Sequence, residues 1–177
     1  MQIYETLKAD HDTVLELLDE LNEMEEGEEY RGDLIAQIRD ELIPHARAEE
    51  AVFYNTLRSI DTAKDVVAHS YKEHLAAEAL LRALQVVDKI DAAWKKTAEK
   101  LREAVSHHVG EEEGKVFTAA RAVLSDEEAE AIGEAFEKLK DEIKDEGFTA
   151  TTLELVANMM PPRLAKAFGK YNPESRV

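Results

Sequence analysis

The arrangement of histidines constrains this chain more than any other feature. His11 and His45 stand 34 residues apart, and so do His74 and His108. Four residues after the second histidine of each pair comes a glutamate, Glu49 after His45 and Glu112 after His108, and each is followed by another, Glu50 and Glu113. A shift of 63 residues lays one set on the other. The context repeats as well: Leu17, Leu18 and Leu21 follow His11 at the offsets at which Leu80, Leu81 and Leu84 follow His74. Two copies of a helical hairpin, each bringing two imidazoles and a carboxylate, provide the donors of a two-metal site inside a four-helix bundle.

The apolar spacing supports helices that turn these residues inward. A first helix, from about Ile3 to Asn22, carries Leu7, His11, Val14, Leu18 and Leu21 at alternating steps of four and three, the pattern of one buried face. Met24–Gly32 is acidic and contains Gly27 and Gly32, so it reads as a loop. The second helix sets Leu34, Ile38, Leu42, His45, Glu49, Val52 and Thr56 on one stripe, and Pro44 within it is expected to kink the axis just before His45. Asp61-Thr62 reads as a turn and cap. The third helix then presents Val67, Ser70, His74, Ala77, Leu81 and Leu84, and the chain turns again at Asp88–Asp91. The fourth has Trp94, Leu101, Val105, His108, Glu112 and Ala119 in register. Gly110 and Gly114 bracket Glu112 at about 1 kcal/mol each relative to alanine, and close approach of a backbone or of the metal site is their expected benefit.

Beyond Leu124 the histidine pattern stops. Ser125-Asp126-Glu127-Glu128 is a capping box opening a fifth helix, with Ile132, Phe136, Leu139 and Ile143 on one stripe and Gly147 after it. Thr149–Met160 reads as a shorter amphipathic helix ended by Pro161-Pro162, and the rest is a basic segment with Leu164 and Phe168. The expected organisation is a bundle over 1–124 and a helical extension over 125–177 that covers it or mediates assembly. A homo-oligomer is left open.

Composition narrows the chemistry. With no cysteine among 177 residues, disulfides, iron–sulfur clusters and thiolate-bound zinc or haem are excluded. Seven glycines and four prolines leave a chain dominated by helix formers. The net charge of −17 opposes phosphate backbones, so no nucleic-acid partner is expected. The N-terminus lacks a basic segment and an apolar run, and nothing approaches the ~18 apolar residues of a membrane span. The expectation is a soluble cytoplasmic protein.

A single histidine on an apolar stripe is more often a hydrogen-bonded core residue than a ligand. Here four occupy equivalent places, and in His-x-x-x-Glu both side chains share a face. Without a cation, such a core would leave several buried polar groups unpaired. Imidazole and carboxylate donors without sulfur suit iron or manganese, with zinc also compatible. His69 lies about 140° around the helix from His74 and is expected to point away, and His107 is expected at the surface or beside the ligands. Glu50 and Glu113 sit one residue off the stripe, solvated or supporting. Glu78, four residues after His74, is either an extra ligand or a surface group.

The segments PHARAEEAVF and HHVGEEEGKVF, with DHDTVLELL and KEHLAAEALL, resemble the hemerythrin-like HHE cation-binding domains over roughly residues 1–124. That resemblance implies an all-α, up-down-up-down four-helix bundle. It implies that His11, His45, Glu49, His74, His108 and Glu112 hold two non-haem iron ions, oxo- or hydroxo-bridged, with the glutamates bridging. The chain departs from the oxygen-carrying hemerythrins, which have two histidines four residues apart on the third helix, because Ser70 stands where the partner of His74 would be. One iron then has an open or water-filled position. Two functions follow as expectations: binding of O2, NO or iron for sensing, carriage or storage, or an oxidase or peroxidase that reduces oxygen or peroxide at that position, with Tyr54 and Tyr71 as candidate proton or redox groups. A third reading keeps a purely structural metal.

Overall fold

A computed structural model describes residues 1–25, 29–87, 89–147 and 159–165. The described residues are helical, with no strand among them. Helix α1 spans Ile3–Glu23 and buries the expected stripe of Leu7, His11, Val14, Leu18 and Leu21. Helix α2, Arg31–Glu49, is followed without a break by a π-helical turn, Glu50–Tyr54, and a last turn of α-helix, α3, Asn55–Arg58. Helix α4 is Ser70–Gln85, and α5 is Ala92–Glu111. The α5 rod also passes into a π turn, Glu112–Val116, and then α6, Phe117–Arg121. Helix α7 spans Asp126–Glu146, and α8 is the single turn Pro162–Ala165.

Several boundaries follow from local chemistry. The Asp91 side chain caps α5 by accepting from the amides of Ala93 and Trp94, at 2.9 and 2.8 Å. Ser125 and Glu128 form the reciprocal box expected at the start of α7, which ends at Gly147 with φ 77. Arg31 and Gly32, read as loop, already belong to α2. The third long helix begins at Ser70 and not before Val67, although Val67 is fully buried in the preceding turn. Helix α2 runs through Pro44, and the departure from α-geometry comes at Glu50. The helix expected over Thr149–Met160 and the basic segment after Ala165 lie outside the described residues, apart from Met159 and Met160.

The long helices form an up-down-up-down ring. Helix α1 packs on α2 and α5, and α4 packs on the same two. Apolar side chains fill the two ends separately. One end holds Val14, Leu18, Leu21, Ile38, Leu81, Leu84, Trp94 and Leu101. The other holds Ile3, Leu7, Val52, Phe53, Leu57, Val67, Val116 and Phe117. Helix α7 lies against α1 and α2 and adds Ile132, Phe136, Leu139 and Ile143 to this second core. At about 1.5–3 kcal/mol for each fully buried apolar side chain, that stripe anchors α7 firmly. It also explains why Ala51, Val52, Phe53 and Tyr54 are all buried in succession: the bundle covers one side of the turn and α7 the other. Between the two cores lies a polar layer, built from the repeated histidines and glutamates.

Candidate metal centre

All six residues picked out by the repeat come together in this layer, and each is buried, with Glu49 and Glu112 fully so. The Nε2 atoms converge on the two carboxylates from opposite helices. Glu49 Oε2 is 3.3 Å from His74 Nε2 and 3.7 Å from His45 Nε2. Glu112 Oε2 is 3.2 Å from His11 Nε2 and 3.7 Å from His108 Nε2. The arrangement obeys the 63-residue shift: each glutamate faces the histidine of its own helix and one from the other hairpin.

The opposite nitrogen of every ring is held by another acid. His11 Nδ1 is 3.1 Å from Glu113 Oε1, and His74 Nδ1 is 2.9 Å from Glu50 Oε1. His45 Nδ1 is 3.0 Å from Asp10 Oδ2, and His108 Nδ1 is 3.1 Å from Glu73 Oε2. A carboxylate only accepts, so each Nδ1–H donates and each Nε2 faces the centre. This is the tautomer a metal-binding imidazole needs, and the acid behind it raises the ring's basicity.

The inner atoms are not satisfied by the protein itself. His11 Nε2, both oxygens of Glu49 and Glu112 Oε2 are buried without a hydrogen-bond partner. His74 Nε2 and His108 Nε2 face each other at 3.0 Å, two acceptors that only a shared proton or a cation reconciles. Buried polar atoms are rarely left so, and orphans clustered in one layer mark a missing positive charge. Donor atoms of His11, His45 and Glu49 lie within 4.8 Å of one another, as do those of Glu49, His74 and His108, so the residues suit two cations that share Glu49.

The electrostatics agree. Burial pushes Glu49 well above the usual carboxylate range, and the nearby charge of Glu112 adds to it. Burial also acts to raise Glu112, but its interactions with the neighbouring His11 and Glu49 side chains outweigh it and hold it far below. His11 is pushed up to about 9, because Glu112, Glu49 and Glu113 overcome the burial that lowers it. His45 is pushed down to about 4, chiefly by burial.

Of the two places expected for Glu50 and Glu113, solvated or supporting, the structure shows the supporting one: they are the partners of His74 and His11. Asp10 and Glu73 were not singled out, yet they do the same for His45 and His108. Each stands immediately before a repeated histidine, so the 63-residue shift could have found them. Glu78 is engaged by Arg47 and Arg82 and makes no bond to the histidines. Gly110 and Gly114 show no close approach: an added Cβ would meet nothing within 4 Å at either. The tight glycine is Gly133 on α7, where a Cβ would fall 2.5 Å from the Met1 carbonyl oxygen and 3.0 Å from the Ile3 nitrogen.

Tyr54 breaks the symmetry. Its hydroxyl donates to Glu112 Oε1 at 2.9 Å, and its ring stacks on His74 with centroids 5.6 Å apart. The position 63 residues on is Phe117, which has no hydroxyl. Ser70 is buried and interacts with that same phenol. Tyr71 is farther out, its hydroxyl 3.5 Å from the Glu50 carbonyl oxygen. On the other side of the layer, a cavity of about 30 Å³ adjoins His11, His45, His74 and His108 and is walled by Val14, Ala77, Val105 and Val109.

Comparison with known proteins agrees with this architecture. A DNA nickase from Nostoc sp. is 31% identical over 147 residues, which are 81% of this chain but 40% of that protein, so the chain spans well under half of its relative. The crystal structure of a Hemerythrin HHE cation binding domain-containing protein from Mycobacterium kansasii superposes with a TM-score of 0.69. It covers 86% of this chain and 98% of its own at 22% identity, a likeness of fold. Among the described residues, no helix is long and apolar enough to cross a membrane. Residues 2–120 match the family model for the hemerythrin HHE cation-binding domain, and with the bundle and its layer of histidines and glutamates in place, the chain belongs to that family.

Proposed function

We propose that His11, His45, His74, His108, Glu49 and Glu112 hold two iron ions, with both glutamates between them, and that the centre binds a small molecule such as O2 or NO. The observation that carries this reading is the layer of inward-facing Nε2 and carboxylate atoms, in which His11 Nε2, both Glu49 oxygens and Glu112 Oε2 lack hydrogen-bond partners, next to a small apolar cavity. The cavity, about 30 Å³, has room for a small molecule. Its apolar wall suits a weakly polar diatomic better than an organic substrate. A pair of iron ions, when bound, supplies open positions and exchangeable electrons. The protein's part is to aim four lone pairs, exclude bulk water and keep the two ends of the layer dry. Manganese or zinc would fit the same donors.

A second reading, reduction of oxygen or peroxide, is favoured by one observation: the Tyr54 hydroxyl on Glu112, a buried proton donor one bond from the centre. The charge of −17 argues against a nucleic-acid partner. Metal analysis of protein purified without added zinc or nickel tests the core of the proposal, with two irons per chain expected. One ion per chain, or none after reconstitution with ferrous salt, overturns it. Mixing the reduced protein with O2 then separates the two functions. Recovery of the reduced spectrum when oxygen is pumped away supports binding, and steady consumption of oxygen or peroxide supports turnover.

A further inference from the structure

The repeat that builds the buried layer does not account for a second set of donors outside it. His69 and Glu73 are four residues apart on the start of α4, and His107 and Glu111 have the same spacing at the end of α5. Each pair therefore places an imidazole and a carboxylate on one helical face, and α4 and α5 are packed together. His69 Nε2 is 3.5 Å from Glu73 Oε1, and His107 Nε2 is 3.6 Å from the same oxygen. Donor atoms of His69, Glu73 and Glu111 all lie within 4.8 Å of one another. Separations of this size are too long for hydrogen bonds but match neighbouring ligands around a cation with bonds of about 2.1 Å.

Glu73 joins the two sites. Its Oε2 accepts from His108 Nδ1 at 3.1 Å, whereas its Oε1 is buried and has no hydrogen-bond partner. The same side chain forms part of the cavity wall beside the four histidines. The other hairpin is closed at the equivalent place. Asp10, the counterpart of Glu73, is clamped by Lys140 of α7, with Nζ 2.6 and 2.7 Å from its two oxygens. The counterparts of His69, His107 and Glu111 are Thr6, Pro44 and Ala48, which offer no comparable donors. Donors thus collect on the one flank of the layer that α7 leaves uncovered.

We propose that His69, Glu73, His107 and Glu111 form a surface site for a divalent cation, and that this site loads the buried centre by way of Glu73. The Lys115 ammonium, now paired with Glu111, is displaced when the ion arrives. The acidic surface concentrates cations near the site, and two exposed imidazoles select a transition metal over magnesium or calcium. Loading rests on the two-iron reading of the buried layer, whereas surface binding does not.

The test uses the full chain and a His69→Ala/His107→Ala double variant. Both positions are exposed, 63% and 64% for the side chains, so the fold tolerates the change. Iron-loaded protein is dialysed against zinc, then counted for both metals. Wild type should hold one zinc more than the variant with iron unchanged, and equal zinc overturns the surface site. Uptake of ferrous ion by iron-free protein, followed by absorbance in a stopped-flow instrument, should be at least about tenfold slower in the variant and reach the same final iron. Equal rates overturn the loading role. If neither protein takes up iron, the two-iron reading fails, and loading with it. The difference in zinc between the two iron-free proteins then upholds or overturns the surface site by itself.

Discussion

At the scale of single residues, the site is a balance of protons that a cation would replace. Burial raises the Glu49 carboxyl well above its ordinary range, and His11 is pushed up to about 9 because its acidic neighbours outweigh its burial. Binding of metal near neutral pH should therefore release protons, that of His11 among them. Calorimetry in buffers of different ionisation enthalpy should show that release, and apparent affinity should climb with pH until His11 titrates at about 9. The sign for stability follows from the same shift. His11 binds its proton more tightly folded than unfolded, so its contribution to metal-free protein is complete below pH 6.5 and is lost as pH rises through about 9. Urea melts of chelator-treated protein on either side of this window should show the lower midpoint on the alkaline side. Tyr54→Phe keeps the buried ring but strips Glu112 Oε1 of its donor. It should cost about 1.5–3 kcal/mol in urea melts of the metal-free protein. If Tyr54 also delivers a proton, the variant slows oxygen or peroxide consumption while binding the same amount of iron.

At the scale of elements, the 63-residue repeat made the six residues of the buried layer legible and little else. The stripes of α1, α2, α4 and α5 could be read because 3.6-residue periodicity survives in the sequence, and the histidines and glutamates lie on those stripes. The two π turns could not be read, because one extra residue in a turn leaves no mark on composition or local spacing. Tyr54, a candidate proton or redox group from the sequence, lies at the end of the first such turn and donates to Glu112. The glycines were misassigned because sequence shows a missing side chain but not what surrounds it. Gly110 and Gly114 face open space, so Gly110→Ala should stabilise the protein by about 0.5–1 kcal/mol and leave metal content unchanged. Gly133→Ala should instead destabilise by roughly 1–3 kcal/mol, since its Cβ meets fixed backbone at Met1 and Ile3. Thermal melts of the two variants should move in opposite directions.

At the scale of the whole molecule, two apolar cores enclose a polar layer, and α7 makes the halves of that layer unequal. It seats Phe136 against the His45 ring, centroids 5.5 Å apart, and sends Lys140 to Asp10, the acid that orients His45. The reading of residues 125–177 as cover or assembly surface therefore extends to a proposal that α7 tunes one half of the centre. The hairpin carrying His74 and His108 has no such clamp: Glu73, which orients His108, is flanked instead by His69 and His107. Lys140→Met removes the clamp while keeping an apolar stem of similar length over Phe136. Without the ammonium, Asp10 is free to turn from His45, and losing such an outer contact typically weakens a metal site by about 10–100-fold. The expected result is a split. Chelator should strip one iron from the variant quickly and the other at the wild-type rate, with Tm in the metal-loaded state falling in step with the first. Loss of both ions together would show that the two positions behave as one unit and that α7 serves only to bury the second core.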